Sequence, residues 1–411
     1  MLNKLFILTV FFTCSLMLNA KSYAAQIQDL LGVNGSPSDT KLKNIDIKWI
    51  RVDFSWKNIE KQKGKFDWVK YDKIIINANK NGYHILPILA YTPAWAGEGA
   101  QSSVPSDEKD WTKFISTVVD RYSKSPYNIK YYQIWNEPTK KAGFWKGTNE
   151  QFINIIYLPA AKIIKASGGK VVFGGWPVSN KIDELVHMLN ESNAYAFTDI
   201  IDVHYRSLSM YETIYSTFIK TGLVSGIWQT EVGYTDKPYF LISEYTKILS
   251  WVIEHDWNEK NKYKIFWYPF YSNRLDFKKA IYSASNGIER ETNNGRELQL
   301  FLRVFSGGDL VPLQFFSNQN KKKESSFAVD VVGKKIIYSI FLKDITGSDV
   351  TYNVKATEKI INDAKIICAD GNESNYTDYM QNQTGIKLFL NKEKINTVCT
   401  NNPMFYIVLT Y

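Results

Sequence analysis

Along residues 26–305, short apolar runs alternate with amphipathic stretches. Eight of the runs read as strands: Leu30–Asn34, Lys48–Phe54, His84–Ala90, Ile129–Asn136, Lys170–Gly175, Ile200–His204, Ile227–Glu231 and Lys264–Phe270. Between them, Tyr71–Asn81, Trp111–Tyr122, Gln151–Ser167 and Ile242–Glu254 carry apolar residues at helical spacing. Alternation of strand and helix predicts a parallel sheet, and eight such units predict closure into a (β/α)8 TIM barrel. The last barrel helix is expected over Gly295–Phe305, stopped by Ser306-Gly307-Gly308, and Gly168-Gly169 reads as a helix stop before the fifth strand.

Beyond this point the pattern changes. Runs rich in Val, Ile, Phe and Tyr, such as Phe327–Val332, Lys335–Leu342, Ile386–Leu390 and Phe405–Tyr411, are separated by turn residues. They predict a small antiparallel β-sandwich-like domain. The expected division is therefore a barrel over residues 25–307 and a β domain over 308–411. A chain of 411 residues has room for both, since a barrel alone takes about 250. No long linker separates them, so they are expected to pack together.

Ahead of the barrel, Lys4, the apolar stretch Leu5–Leu18 and the small residues Ser22 and Ala24 have the form of an export signal over residues 1–24, cleaved before Ala25. The apolar stretch is shorter than the ~20 residues of a membrane span, and an uncleaved anchor is the alternative. Cys14, preceded by Phe12 and Thr13, fits a lipidation site poorly. A periplasmic or secreted location is expected, in which Cys368 and Cys399 form one disulfide that braces the β domain. Without the signal, 48 basic and 41 acidic side chains leave a mild, scattered charge near +7. The densest run, Lys321-Lys322-Lys323, reads as a solvated turn, and no nucleic-acid partner is expected.

Two of the strand-like runs lead into glutamate: Ile134-Trp135-Asn136-Glu137-Pro138 and Ile227-Trp228-Gln229-Thr230-Glu231. Most glycosidic bonds are cleaved between two carboxyl groups, and strand ends of a parallel barrel hold such groups rigidly. Other chemistries find little support. No HExxH, paired CxxC or Asp-rich loop marks a metal site, and no G-x-S-x-G elbow or phosphate-cradling glycine loop occurs, so neither metal nor cofactor is expected.

Further motifs fall in a telling order: Leu31-Gly32-Val33-Asn34, Trp49-Ile50-Arg51-Val52-Asp53-Phe54-Ser55-Trp56, Ile88-Leu89-Ala90-Tyr91-Thr92-Pro93-Ala94-Trp95, Trp135-Asn136-Glu137-Pro138 and Thr230-Glu231-Val232-Gly233-Tyr234. Together they resemble the motifs of clan A glycoside hydrolases. The whole is most similar to glycoside hydrolase family 39, including its bacterial periplasmic endoglycosidases that trim exopolysaccharide, and the resemblance covers residues 26–305.

That resemblance implies a retaining hydrolase of β-linked polysaccharide, with Glu231 as nucleophile and Glu137 as acid and then base. Two adjacent carboxylates repel, so the pair is expected to hold one proton, on Glu137. Asn136 is expected to bond the sugar 2-hydroxyl, Arg51 to keep Glu231 ionised, and His204 or Tyr205 to touch the substrate or nucleophile. Trp267 resembles the clan's aromatic floor beneath the reacting sugar. Trp95, Phe144, Trp145 and Trp176, in loops after strands three to five, are candidates for stacking on further sugars, with ordinary packing as the alternative. Two other readings stay open: an exo-acting β-xylosidase-like enzyme, and a polysaccharide-binding or export scaffold in which catalysis is secondary or lost. A polysaccharide partner and a monomer are expected, and association with polysaccharide export machinery stays open.

Overall fold

The structure, a computed structural model, describes residues 26–36, 40–255, 261–285, 288–317, 326–345, 349–355, 359–383 and 385–411. The expected signal over residues 1–24 and the Lys321-Lys322-Lys323 run lie outside the described residues. Among the described residues, no helix is long and apolar enough to cross a membrane.

Eight strands close into a parallel barrel: β1 Leu31–Asn34, β2 Trp49–Ser55, β3 His84–Ala90, β4 Tyr131–Ile134, β5 Lys170–Trp176, β6 Ile200–His204, β7 Gly226–Gly233 and β8 Tyr263–Tyr268. Each pairs with the next, and β8 pairs with β1 through Leu31 opposite Ile265. Helices over Val69–Lys80, Glu108–Tyr122, Phe240–Glu254 and Asn293–Phe305 pack outside, as the apolar spacing predicts.

Two elements depart from expectation. β4 ends at Ile134, short of the predicted Asn136, because Trp135 and Glu137 take left-handed backbone (φ 68° and 44°) that no strand can continue. The single helix predicted over Gln151–Ser167 is interrupted by a wider π turn at Phe152–Tyr157. Pro159 follows immediately; it has no N–H to donate one turn back, and its ring crowds that carbonyl, so the helix widens there.

Inside the barrel, side chains two apart on a strand share a face and stack in layers. The bottom layer is apolar: Trp49, Leu86, Val172, Ile200, Trp228 and Phe266 form one cluster with Tyr131 against it. The next layer up on the same strands is polar, with Arg51 above Trp49, Gln133 above Tyr131, Asp202 above Ile200 and Thr230 above Trp228. The barrel is thus sealed below and charged above.

The C-terminal part is a sandwich of two antiparallel sheets. One has strands Leu310–Leu313, Phe327–Val331, Lys335–Phe341, Met404–Thr410, Asp363–Cys368 and Glu373–Asn375 in spatial order; the other has Phe315–Ser317, Asp349–Lys355, Gly385–Asn391 and Tyr379–Asn382. Strict alternation lets the larger sheet serve two interfaces. Ile336, Tyr338, Ile340, Phe405, Ile407 and Leu409 fill the sandwich core, while Ile337, Phe341, Met404 and Tyr406 join the barrel's core. Phe305 of the last barrel helix stacks on Phe327, and the Thr246 and Tyr406 hydroxyls meet at 2.8 Å. Cys368 and Cys399 form the disulfide, with Cα atoms 5.3 Å apart.

Candidate active site

Tyr91, Trp135, Tyr205 and Tyr234, the residues that directly follow β3, β4, β6 and β7, all take left-handed backbone, with φ between 53° and 73°. Non-glycine residues pay of order 1–3 kcal/mol each for such conformations, and a cluster of them marks a site where geometry overrides local preference. The strained turns ring the upper mouth of the barrel.

Arg51 organises that mouth. Its guanidinium, buried on β2, donates from Nε to Gln133 Oε1 (2.8 Å), from Nη1 to Asn34 Oδ1 (2.8 Å) and Glu231 Oε1 (2.7 Å), and from Nη2 to Asn136 Oδ1 (2.6 Å). Four strands are tied to one rigid fork. With its oxygen on Arg51, Asn136 has its amide N–H2 group left for a ligand.

Glu231 is held at both oxygens, since the Tyr205 hydroxyl donates to Oε2 at 2.9 Å. Burial alone would push its carboxyl up, but His204, Arg51 and the two hydrogen bonds together outweigh burial and hold it below the usual carboxylate range. The carboxylate side of the pair is therefore fixed and ionised.

Glu137 is bonded differently. Its Oε1 lies 3.1 Å from His204 Nδ1, while His204 Nε2 lies 3.1 Å from Thr230 Oγ1. Thr230 donates its own hydroxyl proton to Asp202 Oδ2 at 2.6 Å, so its oxygen accepts from Nε2–H of His204. Asp202, Thr230 and His204 thus form a buried chain that ends on Glu137. Burial opposes charge on His204, yet Glu231, Asp202 and Glu137 raise the imidazole to about 9, so it is a cation at neutral pH. Gly175 makes room for the ring: a Cβ there would sit 2.2 Å from His204 Nε2.

Ligating atoms of Glu137, Glu231 and His204 all lie within 4.8 Å of one another. These residue types also hold metal ions, but Arg51 and Tyr205 already take both oxygens of Glu231, and the guanidinium repels a cation there. The arrangement suits proton transfer and nucleophilic attack. Above it opens a cavity of about 540 Å³, walled by Asn34, Asp53, Ile88, Tyr91, Phe144 and Tyr268 together with Arg51, Asn136, Glu137, Tyr205 and Glu231.

Seven of the expected residues meet here: Arg51, Asn136, Glu137, Phe144, His204, Tyr205 and Glu231. The four tryptophans do not. Trp145, Trp176 and Trp267 are at most 1% exposed and spend their indole N–H groups on the Thr148, Lys181 and Lys279 carbonyls. Trp95 packs edge-on against Trp56, away from the cavity wall. Aromatic walls come from Phe144, as expected, and from Tyr91 and Tyr268, the last next in sequence to Trp267 and so on the opposite face of its strand. Asn34, Gln133 and Asp202 are not singled out by the motifs as functional residues, although each is a polar residue within or ending an apolar run, a readable sign of an inward position.

No protein-family profile matches the chain. A curated β-xylosidase of Caldicellulosiruptor saccharolyticus is 31% identical over 75 residues, 17% of this chain, and the match spans 15% of that relative's length. Among solved structures, a family 39 glycoside hydrolase from the gut symbiont Bacteroides cellulosilyticus WH2 superposes with a TM-score of 0.61 at 12% identity, over 93% of this chain and 81% of that one. A family 39 enzyme from Xanthomonas axonopodis pv. citri gives 0.60 at 12% identity, over 95% and 96%. The catalytic domain of a family 30 xylanase C from Talaromyces cellulolyticus gives 0.58 at 11%, over 95% and 98%. The chain has the fold of these clan A glycoside hydrolases, barrel and sandwich together.

Proposed function

We propose that this protein is a retaining glycoside hydrolase acting on β-linked polysaccharide. One observation carries the reading: oxygens of Glu137 and Glu231, at the mouth ends of β4 and β7, lie within 4.8 Å of each other. Retaining enzymes hold their carboxyl groups about 5–5.5 Å apart, whereas inverting enzymes leave about 6.5–9.5 Å for a water.

The residues divide the steps between them. Glu231, ionised, attacks the anomeric carbon as the bond to the leaving oxygen breaks, and Glu137 gives that oxygen its proton. His204 Nδ1 engages Glu137 Oε1, which leaves Oε2 as the oxygen that faces the leaving group. Esterification removes the Glu231 charge. Glu137, now a carboxylate beside the His204 cation, takes a proton from water whose oxygen attacks the anomeric carbon and frees Glu231. The Asn136 amide, oriented by Arg51, is placed to bond the sugar 2-hydroxyl.

Endo-cleavage of an exopolysaccharide by an exported protein is the finer form of this proposal, and the disulfide supports the oxidising location it requires. An exo-acting β-xylosidase is the second reading, favoured by the 75-residue match. Incubation with β-linked polysaccharides and analysis of product lengths separates the two: a ladder of oligosaccharides supports endo action, single sugars exo action. Replacing either Glu137 or Glu231 by Gln is expected to lower cleavage at least about 10³-fold. Full cleavage by both variants would overturn the proposal.

A further inference from the structure

Asp53 is a third carboxylate at the cavity. It lies two residues beyond Arg51 on β2, so it shares the inward face one layer nearer the mouth. Its register partner on β3 is Ile88, another wall residue. Its carboxylate makes no hydrogen bond or ion pair among the described residues, and the main charges acting on it, those of Arg51, Glu231, Lys70 and Lys57, do so at longer range. Enclosure by the walls pushes the group above the usual carboxylate range, against the pull of Arg51. The side chain is nevertheless exposed to the cavity itself. A carboxylate held in a walled site with no donor of its own is an acceptor kept for a ligand.

The surroundings narrow which ligand. Arg51 is the one cation among the wall residues, and its donors are directed at Gln133, Asn34, Glu231 and Asn136. The ammonium of Lys57, nearer the rim, donates to Gln101. A sugar carboxylate entering the cavity would meet Asp53 and Glu231 without an unengaged wall cation to receive it. Hydroxyl or ammonium groups would find acceptors.

Resting on the hydrolase reading, we infer that Asp53 is a specificity-determining residue that accepts hydrogen bonds from hydroxyl or ammonium groups of the bound sugar and excludes uronic acids from this subsite. The substrate class is therefore a neutral or amino-sugar glycan, despite the basic net charge of the chain, which alone would favour an acidic one.

Calorimetric titration of the full chain carrying Glu137→Gln tests this, with β-1,4-xylotetraose, cellotetraose, chitosan tetrasaccharide and β-1,4-mannuronate tetrasaccharide as probes. At least one of the first three is expected to bind, and the mannuronate at least tenfold more weakly. Adding Asp53→Ala is expected to weaken the best binder about 10–100-fold, the usual range for hydrogen bonds to a charged group. Adding Asp53→Asn separates the donors: a hydroxyl ligand retains part of its affinity through the amide oxygen, whereas an ammonium ligand falls as far as with alanine. Asp53→Asn should also strengthen mannuronate binding, which a merely structural role would not do. Equal binding of mannuronate to the parent, or a change of less than twofold with Asp53→Ala, overturns the inference and leaves the hydrolase reading standing. Failure of all four probes to bind overturns that reading as well.

Discussion

The lower and upper interiors of the barrel are built from the same strands, two residues apart, and they do opposite work. Below, Trp49 and Trp228 meet edge to face at 5.1 Å, Tyr131 closes on Trp228 at 5.0 Å, and Lys264 lays its ammonium 4.8 Å from the Trp49 ring. These ring contacts favour the folded chain, and the one buried charge among them, the Lys264 ammonium, is met by the two indole faces and the Asp29 carbonyl. Above, Arg51, Asp202, His204 and Glu231 bring charges out of water, and four strained turns hold them in place. Burying charge costs stability even when the charges are paired. One layer stabilises the barrel while the next draws on that stability to hold a reactive geometry.

If that division is real, substitutions in the two layers should fail in different ways. The largest effect on folding is expected from Trp228→Ala, which empties the floor and should cost about 3–5 kcal/mol in urea unfolding. Glycan cleavage per folded molecule should change little. A fall in rate as large as that of a mouth variant would show that the layers are coupled.

The next effect is pH-dependent and belongs to the mouth. The folded state raises His204 from its ordinary 6.5 to about 9, so its contribution is fully present below pH 6.5 and disappears as pH rises through 9. The expected size is about 3 kcal/mol. Urea unfolding between pH 6 and 10 should therefore show a decline that His204→Gln removes. Comparing the two proteins isolates His204 from Lys335 in the β domain, whose ammonium burial pulls down to about 8 and whose effect has the opposite sign. Parallel curves would mean that His204 is neutral when folded.

Much of this was legible in the sequence because the barrel repeats one rule eight times. Apolar runs gave the strands, and a lone Arg51 between Ile50 and Val52 announced an inward polar position. Glu137 and Glu231 stood out for the same reason. The tryptophans were not legible, because a large ring does not say which way its segment faces: Trp145 in its loop and Trp176 at the end of β5 both lie buried with their N–H groups on backbone carbonyls. Thr230 was invisible as a functional residue, since in an apolar run threonine is also an ordinary strand former. Only the meeting of β6 and β7 reveals it as the link between Asp202 and His204.

That link gives the third prediction. Thr230→Val keeps the shape, but it takes a donor from Asp202 and an acceptor from His204, both fully buried. Stability should fall by about 1–3 kcal/mol, as for an unsatisfied buried group. Activity should fall with it, because the imidazole that orients Glu137 loses its anchor. Unchanged cleavage would make the Asp202–Thr230–His204 chain a structural feature alone.

The smallest effect is the most specific. Tyr205→Phe removes one hydroxyl, the donor to Glu231 Oε2, while Arg51 still holds Oε1. Stability should change by no more than about 1 kcal/mol. The hydroxyl also helps hold the Glu231 carboxyl down, so its loss should raise that group in the free protein. Since the nucleophile must be ionised, activity would then begin at a higher pH. The acid limb of kcat/KM against pH should move to the alkaline side by a fraction of a unit, with the basic limb unmoved. A floor substitution could not produce this signature, because it changes how much protein is folded at each pH without touching the ionisation of Glu231. An acid limb that stays in place would leave Arg51 and His204 as sufficient to keep the nucleophile charged, and Tyr205 as a residue that only positions it.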